Sequence, residues 1–400
     1  MKTVYIDYIN SVSTHAYKGW SKHLVVKKQY HGGGNYTNTL LLDLQKRYEE
    51  YNLVLLWAKG YIPQMDCEKS FYEDGRFIIQ EIESLSSIPY LEQGSTLFLP
   101  SLHRIEDYIA VSKIKSANPT VKIVSAIHDL RMKFNKYEML SRYYFSGWKY
   151  YLFFLQKPGF WAINTLLNRY PIKKGIQSID IIITPSNYSM QNIVKYKING
   201  DIVLHYQSAL PKSSTDTRSP KDNYFLFVSG NRPAKNFLRT LEAFCIFKKS
   251  DKQDYFLNVT GLDEKELNNL LRYKKIDRQI VERWVRALGY VDFKTLDNLY
   301  LNCNLLLFTS KYEGFGLPLL EAARYGRPTL SSFASSIPEV LGCFTHYVDP
   351  YNVQSIVRGM DYMIQEHIMN QYERWMAAYY PVLQQKSEQD LAVILSHILD

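Results

Sequence analysis

The sequence predicts an α/β protein with two doubly wound domains, each built around a parallel sheet. Three observations support this prediction. The chain has 400 residues with 46% hydrophobic content, enough to bury two ordinary cores. Short apolar segments rich in β-branched and aromatic residues alternate with helix-length segments, which is typical of parallel sheets. The alternation stops at a polar, proline-bearing stretch and then restarts, which predicts a linker between two domains.

The predicted strands fall into two series. The first series is 2–9, 52–58, 96–100, 121–127, 180–185 and 201–206. The second is 224–229, 255–261, 304–310 and 327–332. We therefore expect an N-terminal Rossmann-like domain over 1–206, a linker over 207–223 and a second Rossmann-like domain over 224–385. A C-terminal helix over 386–400 could pack back on the N-terminal domain. Ligands of such sheets bind outside the carboxyl ends of the strands, which predicts a site in the cleft between the two facing domains.

The positive charge is concentrated in the first half of the chain. Residues 1–200 contain 25 Lys and Arg against 16 Asp and Glu, which accounts for the whole net charge of +9. Most of this excess lies in 131–175, which has nine basic residues, one acidic residue and thirteen aromatic residues. Such a segment suits an anionic membrane surface or nucleic acid. The alternative is that its rings pack inside while its lysines are solvated. The neutral second half argues against nucleic acid, which is not an expected partner.

Cellular location and metal binding can also be judged from the sequence. Asp7 interrupts the apolar run that a signal peptide needs, and no apolar stretch approaches the ~20 residues of a membrane span. We expect a cytoplasmic protein that could lie peripherally on the cytoplasmic membrane face. The four cysteines are scattered without a Cys-x-x-Cys pair and are expected to be reduced core thiols. There is no Asp-x-Asp, so we expect no metal and no other cofactor.

A glycine-rich stretch, HGGGNYT at 31–37, precedes a predicted helix and strand. Three glycines before a helix suggest a phosphate cradle, but the dinucleotide fingerprint also needs a third small residue and a later acidic residue. Thr37 stands in the third-glycine place, and the next strand ends at 58–60 without a carboxylate. No Gly-Lys-Ser/Thr follows, which excludes a P-loop. Taken alone, the glycines allow close backbone approach and nothing more.

The most informative stretch is KYEGFGLPLLE at 311–321, directly after a predicted strand. Pro318 is placed as the first residue of a helix. Gly314 and Gly316 leave main-chain N–H groups exposed at the start of that helix. Backbone donors and the helix dipole favour an anion such as a diphosphate at this position.

Two glutamates belong to the same stretch. Glu313 lies on the predicted loop and Glu321 in the first turns of the helix. A carboxylate can hold a ribose or a hexose by accepting hydrogen bonds from vicinal hydroxyls. The separation of the two glutamates favours one carboxylate for each sugar ring. The alternative, a surface acid near a favourable dipole end, does not explain the surrounding EGFGLPLLEA.

The longer stretch SKYEGFGLPLLEAARYGRPTLSSFASSIPEVLG closely resembles the glutamate-x7-glutamate signature of retaining glycosyltransferases of family 4, which have the GT-B fold. Segments similar to the family flank it: YFLFVSGNRPAKNFLRTLEAF, ALGYVDFKTLDNLYLNCNLLLFTS and HYVDPYNVQSI. The resemblance is dense from 224 to 356 and thinner before, where it includes IHDL at 127–130 and the glycine-rich stretch. It implies an acceptor-binding N-terminal domain and a donor-binding C-terminal domain.

The resemblance implies a nucleotide-sugar site in the second domain. Glu321 would bind the ribose hydroxyls, Glu313 the transferred sugar and Lys235 the diphosphate. The remaining donor-binding residues would be Gly230, Arg232, Tyr290, Gly314, Phe315, Gly316 and Leu317. Tyr290 falls where family members often contact the base. Fixed cations and helix amides stabilise charge on the leaving diphosphate, so a Lys/Arg pair would replace a metal ion.

The second phosphate cation departs from the family pattern. The family often has an arginine just before the lysine, where this chain has Ala234. Arg232 or Arg239 could replace it. Arg232 is favoured because it shares the glycine loop with Gly230.

The resemblance also implies site residues in the first domain. His128, at the end of a predicted strand, falls where the family often has a histidine near the sugar or the acceptor hydroxyl. A neutral imidazole can orient that hydroxyl or accept its proton, and the alternative is a structural histidine. His103 is a weaker candidate. Gly33 and Gly34 would bring backbone N–H groups close to the phosphate and sugar of the donor from across the cleft.

These features predict a metal-independent retaining glycosyltransferase. It would transfer a hexose-type sugar from a UDP- or GDP-sugar to a glycan acceptor. The basic aromatic segment suits a lipid-linked acceptor, as in surface polysaccharide or glycolipid assembly. Two alternatives remain open. A nucleotide-sugar epimerase with the GT-B fold would turn over donor without acceptor, and a non-catalytic basic binding module would bind nucleic acid with a steep salt dependence.

Overall fold

The computed structural model describes residues 1–12, 32–47, 49–63, 66–88, 90–102, 104–130, 169–206, 223–250, 254–273 and 276–400. The described residues form two compact units. The first unit takes its residues from Met1–Phe134, Ala162–Leu210 and Lys386–Asp400, and the second takes its residues from Pro211–Gln385. Nearly all of the predicted linker, 207–222, lies outside the described residues.

The first unit contains a parallel sheet with helices between its strands. The strands are β1 (Lys2–Asp7), β2 (Tyr51–Ala58), β3 (Ile78–Ile82), β4 (Thr96–Leu99), β5 (Lys122–Ala126), β6 (Ile181–Thr184) and β7 (Asp201–Leu204). They pair in the order β3-β2-β1-β4-β5-β6-β7. The helices are α1 (Ile9–Val12), α2 (Gly32–Leu44), α3 (Asp66–Glu73), α4 (Ile105–Ala117), α5 (169–177) and α6 (Asn187–Ile193). The predicted doubly wound arrangement is confirmed.

The sheet of the first unit has a hydrophobic core on each face. Leu97 and Leu99 pack in one core, and Phe98, which lies between them along β4, packs in the other. Side chains alternate along a strand, so a strand covered on both faces needs a continuous apolar run. The chain end contributes to one of these cores, where Ile394 and Ile398 join Phe98.

The second unit repeats this plan. Its strands are β8 (Tyr224–Phe227), β9 (Phe256–Val259), β10 (Val285–Ala287), β11 (Leu305–Phe308), β12 (Thr329–Ser332) and β13 (His346–Val348), paired in parallel in the order β10-β9-β8-β11-β12-β13. Its helices are α7 (Phe237–Ser250), α8 (Glu264–Tyr273), α9 (Arg278–Trp284), α10 (Phe293–Asn302), α11 (Leu317–Arg324), α12 (Ile337–Leu341), α13 (Val353–Met363) and the first part of α14 (Glu366–Leu399), whose residues from Lys386 onward belong to the first unit. Because α14 is continuous, the separate C-terminal helix expected over 386–400 is replaced by the end of a longer helix.

The sequence patterns missed three strands, β3, β10 and β13. All three lie at sheet edges. An edge strand is paired on one side only and is less covered than a central strand, so its apolar pattern is weaker. Ile78 in β3 is 58% exposed, and β10 and β13 have only three residues each.

Asp7 ends the central strand β1 and is fully buried. Its carboxylate accepts hydrogen bonds from the backbone N–H of Ile9 at 2.9 Å and from Nδ2 of Asn10 at 3.1 Å. Burial, and then the nearby Asp107, raises the pKa of Asp7 to about 7. The folded protein therefore holds a proton here that the unfolded chain releases at lower pH.

This buried carboxyl group predicts a pH-dependent stability. Asp7 stabilises the fold least at high pH, because the contribution of its bound proton is lost as pH rises from about 4 through 7. The full loss is on the order of 4 kcal/mol. We compare the Tm of Asp7→Asn with the Tm of the wild type at each pH. The variant's advantage in Tm should be roughly 5–10 °C larger at pH 8 than at pH 4.5. Thermal unfolding of both proteins at both pH values tests this, and an equal Tm difference at the two pH values would contradict it.

Candidate functional site

The predicted site residues of the second unit lie at the carboxyl ends of its strands. Gly230 and the 3₁₀ turn Pro233–Lys235 follow β8, and Glu313 follows β11, which pairs with β8. The backbone N–H of Lys311 donates to the carbonyl of Ala234 at 2.9 Å. This bond ties the two loops together and brings their predicted residues side by side.

Lys235 and Glu313 form a buried ion pair. Nζ of Lys235 lies 2.7 Å from Oε1 of Glu313, and the two side chains are 9% and 8% exposed. The same Nζ lies 4.7 Å from the centre of the Phe308 ring. Oε1 of Glu313 is buried, and no aligned hydrogen bond from the described residues reaches it. Its contact is the Lys235 ammonium, so the ion pair fixes the position of this carboxylate at the strand edge.

Glu321 lies on α11 and is held by a residue that the sequence analysis did not identify. The hydroxyl of Tyr300 donates to Oε2 of Glu321 at 2.6 Å. Burial raises the pKa of Glu321, while Tyr300, Arg324 and Lys235 oppose that rise. Lys235 is therefore close enough to act electrostatically on Glu321 as well as on Glu313.

Helix α11 begins at Leu317. Pro318 is therefore its second residue, whereas the sequence predicted it as the first. Gly316 caps the helix with φ of 117°, a conformation that side-chain-bearing residues rarely adopt. Pro318 has no N–H, and the N–H of Leu319 donates to the carbonyl of Gly316 at 2.9 Å. Anion binding by the amides from Gly314 to Leu317 therefore stays a prediction.

Two serines that were not predicted as site residues hold the Glu313 loop. The backbone N–H of Glu313 donates to Oγ of Ser335 at 2.8 Å. Oγ of Ser336 donates to the carbonyls of Glu313 at 3.1 Å and Phe315 at 2.9 Å. Ser335 has φ of 50°, an uncommon conformation for a non-glycine residue. Such strain persists only where the surroundings hold it, as they do beside many functional sites.

For the nucleotide-sugar donor that the sequence resemblance implies, we expect Ser335→Ala to weaken binding by about 5- to 10-fold, because it removes one hydrogen bond of about 1 kcal/mol from the backbone of Glu313. Ser87→Ala is the matched control, since Oγ of Ser87 accepts the N–H of Ser84 at 3.0 Å in the first unit. Titration calorimetry with a nucleotide sugar measures both affinities. Equal affinity of the two variants would show that the Ser335 bond does not position Glu313 for the donor.

The glycine loop after β8 is closely packed. A Cβ atom on Gly230 would lie 2.6 Å from Cγ1 of Val259, so the position needs glycine. Beside it, Nδ2 of Asn231 donates to the hydroxyl of Tyr290 at 3.1 Å. Tyr290 is 54% exposed, so its ring is available to a ligand at this end of the sheet.

The cations near Lys235 differ in how firmly they are held. Nη1 of Arg239 donates to Asn236 at 3.1 Å, and its guanidinium lies over the Tyr351 ring at 5.3 Å. Arg232, directly before the 3₁₀ turn, is half-buried, and its role stays a prediction. Lys311 is a further cation in these loops that the sequence analysis did not assign. Burial lowers the pKa of Lys311 to about 8.

In the first unit, His128 lies two residues beyond β5. Its Nε2 is 3.0 Å from the carbonyl oxygen of Pro100, and its ring stands edge-on to Tyr36 with 4.8 Å between centres. Because a carbonyl oxygen only accepts, Nε2 carries the proton, and Nδ1 is the basic nitrogen of the neutral ring. Burial, and then His128, lowers the pKa of the neighbouring His205 to about 3, so His205 stays neutral.

Two other predictions in the first unit have different outcomes. Gly33 and Gly34 lie in the first turn of α2, which begins at Gly32, and not in a loop before the helix as predicted. Their N–H groups belong to the set without acceptors inside the helix. His103 and most of the basic segment, 131–168, lie outside the described residues.

The described residues contain no group of three or more His, Cys, Asp and Glu side chains that could hold a metal ion. Within the same part of the chain, no helix is long and apolar enough to cross a membrane. None of the four cysteines, all of them described, forms a disulfide. Cys245 and Cys303 are buried, but Cys343 is exposed, so the prediction of core thiols is wrong for Cys343.

Comparison with known proteins shows what this chain is similar to. Residues 212–379 match the family described as "Glycosyl transferases group 1". The chain is 29% identical over 199 residues to O-antigen chain mannosyltransferase B of Escherichia coli, which covers 46% of this chain and 51% of that protein. It is 27% identical over 195 residues to O-antigen chain mannosyltransferase RfbU of Salmonella typhimurium, covering 48% and 53%. The chain thus spans about half the length of these relatives.

The solved structures agree at the level of fold. The chain superposes on HepE of Anabaena in complex with UDP and glucose with a TM-score of 0.62 and 14% sequence identity, covering 99% of this chain and 100% of that chain. At this identity the likeness shows the fold alone. The predicted GT-B fold is confirmed.

Proposed function

We propose that the protein is a retaining glycosyltransferase, because residues 212–379 match the family described as "Glycosyl transferases group 1". It transfers a hexose from a UDP- or GDP-sugar to a glycan acceptor in surface polysaccharide or glycolipid assembly. The observation that carries this proposal is the buried pair of Lys235 and Glu313, 2.7 Å apart, with Glu321 beside it at the carboxyl edge of the second sheet.

The chemistry of the donor fits these residues. Loss of the diphosphate develops negative charge on its oxygens, which Lys235 and Arg232 offset without rearrangement of solvent. The amides from Gly314 to Leu317 add backbone donors at the start of a helix. Glu313 accepts a hydroxyl of the transferred sugar, Glu321 accepts the ribose hydroxyls, and Tyr290 contacts the base.

The first unit supplies the acceptor-side residues. In the proposed reaction, the bond from the anomeric carbon to the phosphate oxygen breaks and a bond to the acceptor oxygen forms on the same face. His128 orients the acceptor hydroxyl through Nδ1, which can accept its proton. Gly33 and Gly34 offer first-turn N–H groups without Cβ atoms, which allows an anionic group of the donor to approach closely.

The relatives support a choice of sugar and process. Two of them are named as O-antigen chain mannosyltransferases, so we favour mannose as the transferred hexose and a bacterial surface glycan as the acceptor. HepE was solved with UDP and glucose, which supports a nucleoside diphosphate sugar as the donor class. The basic segment 131–175 supports a lipid-linked acceptor and a peripheral place on the cytoplasmic membrane face.

Product analysis tests this function. The protein is incubated with UDP- and GDP-hexoses, with and without a glycan acceptor, and the products are identified by NMR. We expect a glycoside with the anomeric configuration of the donor, formed equally well in excess EDTA because Lys235 and Arg232 replace a metal ion. An epimerised nucleotide sugar without acceptor would establish the epimerase instead. An inverted glycoside would contradict retention, and tight salt-sensitive RNA binding without turnover would favour the binding module.

A further inference from the structure

A basic pocket lies on the first unit, where the end of the basic segment 131–175 meets the residues after α6. Its volume is about 320 Å³, and its lining residues are Arg169, Tyr170, Lys173, Lys195, Tyr196 and Lys197. Four of the six are cations and none is acidic. No ion pair among the described residues involves any of the four cations. A pocket lined by four cations has a positive potential, which attracts an anion.

The local structure holds this arrangement in place. Nε2 of Gln177, on α5, donates to the carbonyls of Tyr196 at 3.3 Å and Lys197 at 2.8 Å, which fixes the turn after α6 against α5. Lys197 has φ of 54°, an uncommon conformation for a side-chain-bearing residue. Nζ of Lys195 donates to Asn192 at 3.0 Å. The cations are thus carried by an ordered turn and a helix.

The surface around the pocket indicates the kind of partner. Tyr170 is 71% exposed, and Val194, next to Lys195, is 46% exposed. Exposed aromatic and aliphatic side chains beside lysines are typical of surfaces that lie at a membrane interface, with rings at the headgroup level and cations near the phosphates. The aliphatic Val194 would gain nothing from a nucleic-acid backbone. The observations therefore favour a lipid surface over RNA or DNA.

We propose that this pocket binds the phosphate of an anionic phospholipid headgroup and docks the first unit on a membrane. The lipid contact stands on its own geometry, but its use, to bring the enzyme to a lipid-linked acceptor, rests on the proposed function. Arg169, Lys173, Lys195 and Lys197 surround the phosphate, while Tyr170 and Val194 lie at the level of the headgroups. None of the residues that line this pocket belongs to the proposed donor site.

Vesicle sedimentation tests the proposal. The full chain is mixed at low salt with vesicles of phosphatidylcholine alone or of equimolar phosphatidylcholine and phosphatidylglycerol. We expect binding to the anionic vesicles only, and a drop of at least tenfold in the partition coefficient of the variant Lys173→Glu/Lys195→Glu/Lys197→Glu. The control Lys113→Glu/Lys265→Glu/Lys294→Glu changes the net charge equally at exposed lysines elsewhere and should retain most of the binding.

Several results would overturn the proposal. One is a wild-type protein that does not bind anionic vesicles. Another is an equal loss of vesicle binding in the two triple variants. A third is pocket-dependent binding of single-stranded RNA without binding of vesicles. Inorganic phosphate that raises Tm through the pocket, without vesicle binding, would assign the site to a free anion. Turnover on a water-soluble acceptor separates this proposal from the enzymatic one. The pocket variant should keep wild-type turnover on that acceptor, and its Tm shows whether it is folded.

Discussion

Replacing Lys235 with methionine is expected to lower kcat for sugar transfer by about 10²–10³-fold, the usual cost of losing one preorganised group that stabilises developing charge. The expectation rests on Lys235 being a buried cation at this strand edge, 2.7 Å from Glu313 and close enough to Glu321 to oppose the burial-induced rise of its pKa. Steady-state kinetics with donor and acceptor both saturating measure the effect. Lys248→Met is the matched control, since Lys248 lies over Trp284 in the same unit and takes no part in the site.

The stability of this variant has to be separated from its chemistry. Losing Lys235 leaves the Glu313 carboxylate buried without its partner, which typically destabilises a protein by about 3–5 kcal/mol. The double variant Lys235→Met/Glu313→Gln removes both charges and should regain much of the lost stability without regaining transfer. If the double variant transfers sugar at the wild-type rate, the ion pair has a structural role only.

Replacing Glu321 with alanine has the second largest expected effect. We expect donor affinity to fall roughly 10- to 100-fold, because a charged hydrogen-bond acceptor is worth about 1.5–3 kcal/mol. Tyr300→Phe removes only the hydroxyl that donates to Oε2 of Glu321 at 2.6 Å, so its effect should be smaller. Titration calorimetry of both variants against the wild type measures the two affinities. If Glu321→Ala binds donor like the wild type, Glu321 does not hold the ribose.

The raised pKa of Glu321 adds a pH dependence to the same experiment. A protonated carboxyl group is a poorer acceptor than a carboxylate, so donor affinity should fall as pH falls through the pKa of Glu321. The neutral variant Glu321→Gln should lack this part of the pH profile. An unchanged profile in Glu321→Gln would assign the pH dependence to another group.

Features carried by contiguous residues could be predicted from the sequence. Central strands such as β11 are short apolar runs, and the EGFG loop with its following helix is encoded within eleven neighbouring residues, 311–321. The helix start was predicted one residue late, because Gly316 takes φ of 117° and lets the helix begin before Pro318. Edge strands such as β10 were missed because partial exposure removes the apolar run on which the prediction depends.

Contacts between distant residues could not be predicted in this way. Ser335 reaches Glu313 across 22 residues of sequence, and Tyr300 reaches Glu321 across 21. A loop serine and a helical tyrosine are common residues, and only the pairing of strands brings their hydroxyls to the two glutamates. The basic pocket has the same origin, because Lys173 and Lys195 lie on different helical segments that the fold places side by side.

The central claim is that the carboxyl edge of the second sheet binds a nucleoside diphosphate sugar through Lys235 and Glu321. Its most direct test is a calorimetric titration of UDP- and GDP-hexoses, without metal, into the wild type and into Lys235→Met/Glu321→Gln. We expect the wild type to bind at least one of these donors and the double variant to bind it more than about 100-fold more weakly, the product of two losses of about 1.5 kcal/mol or more. Failure of the wild type to bind any of them, or equal affinity of the two proteins, would contradict the claim.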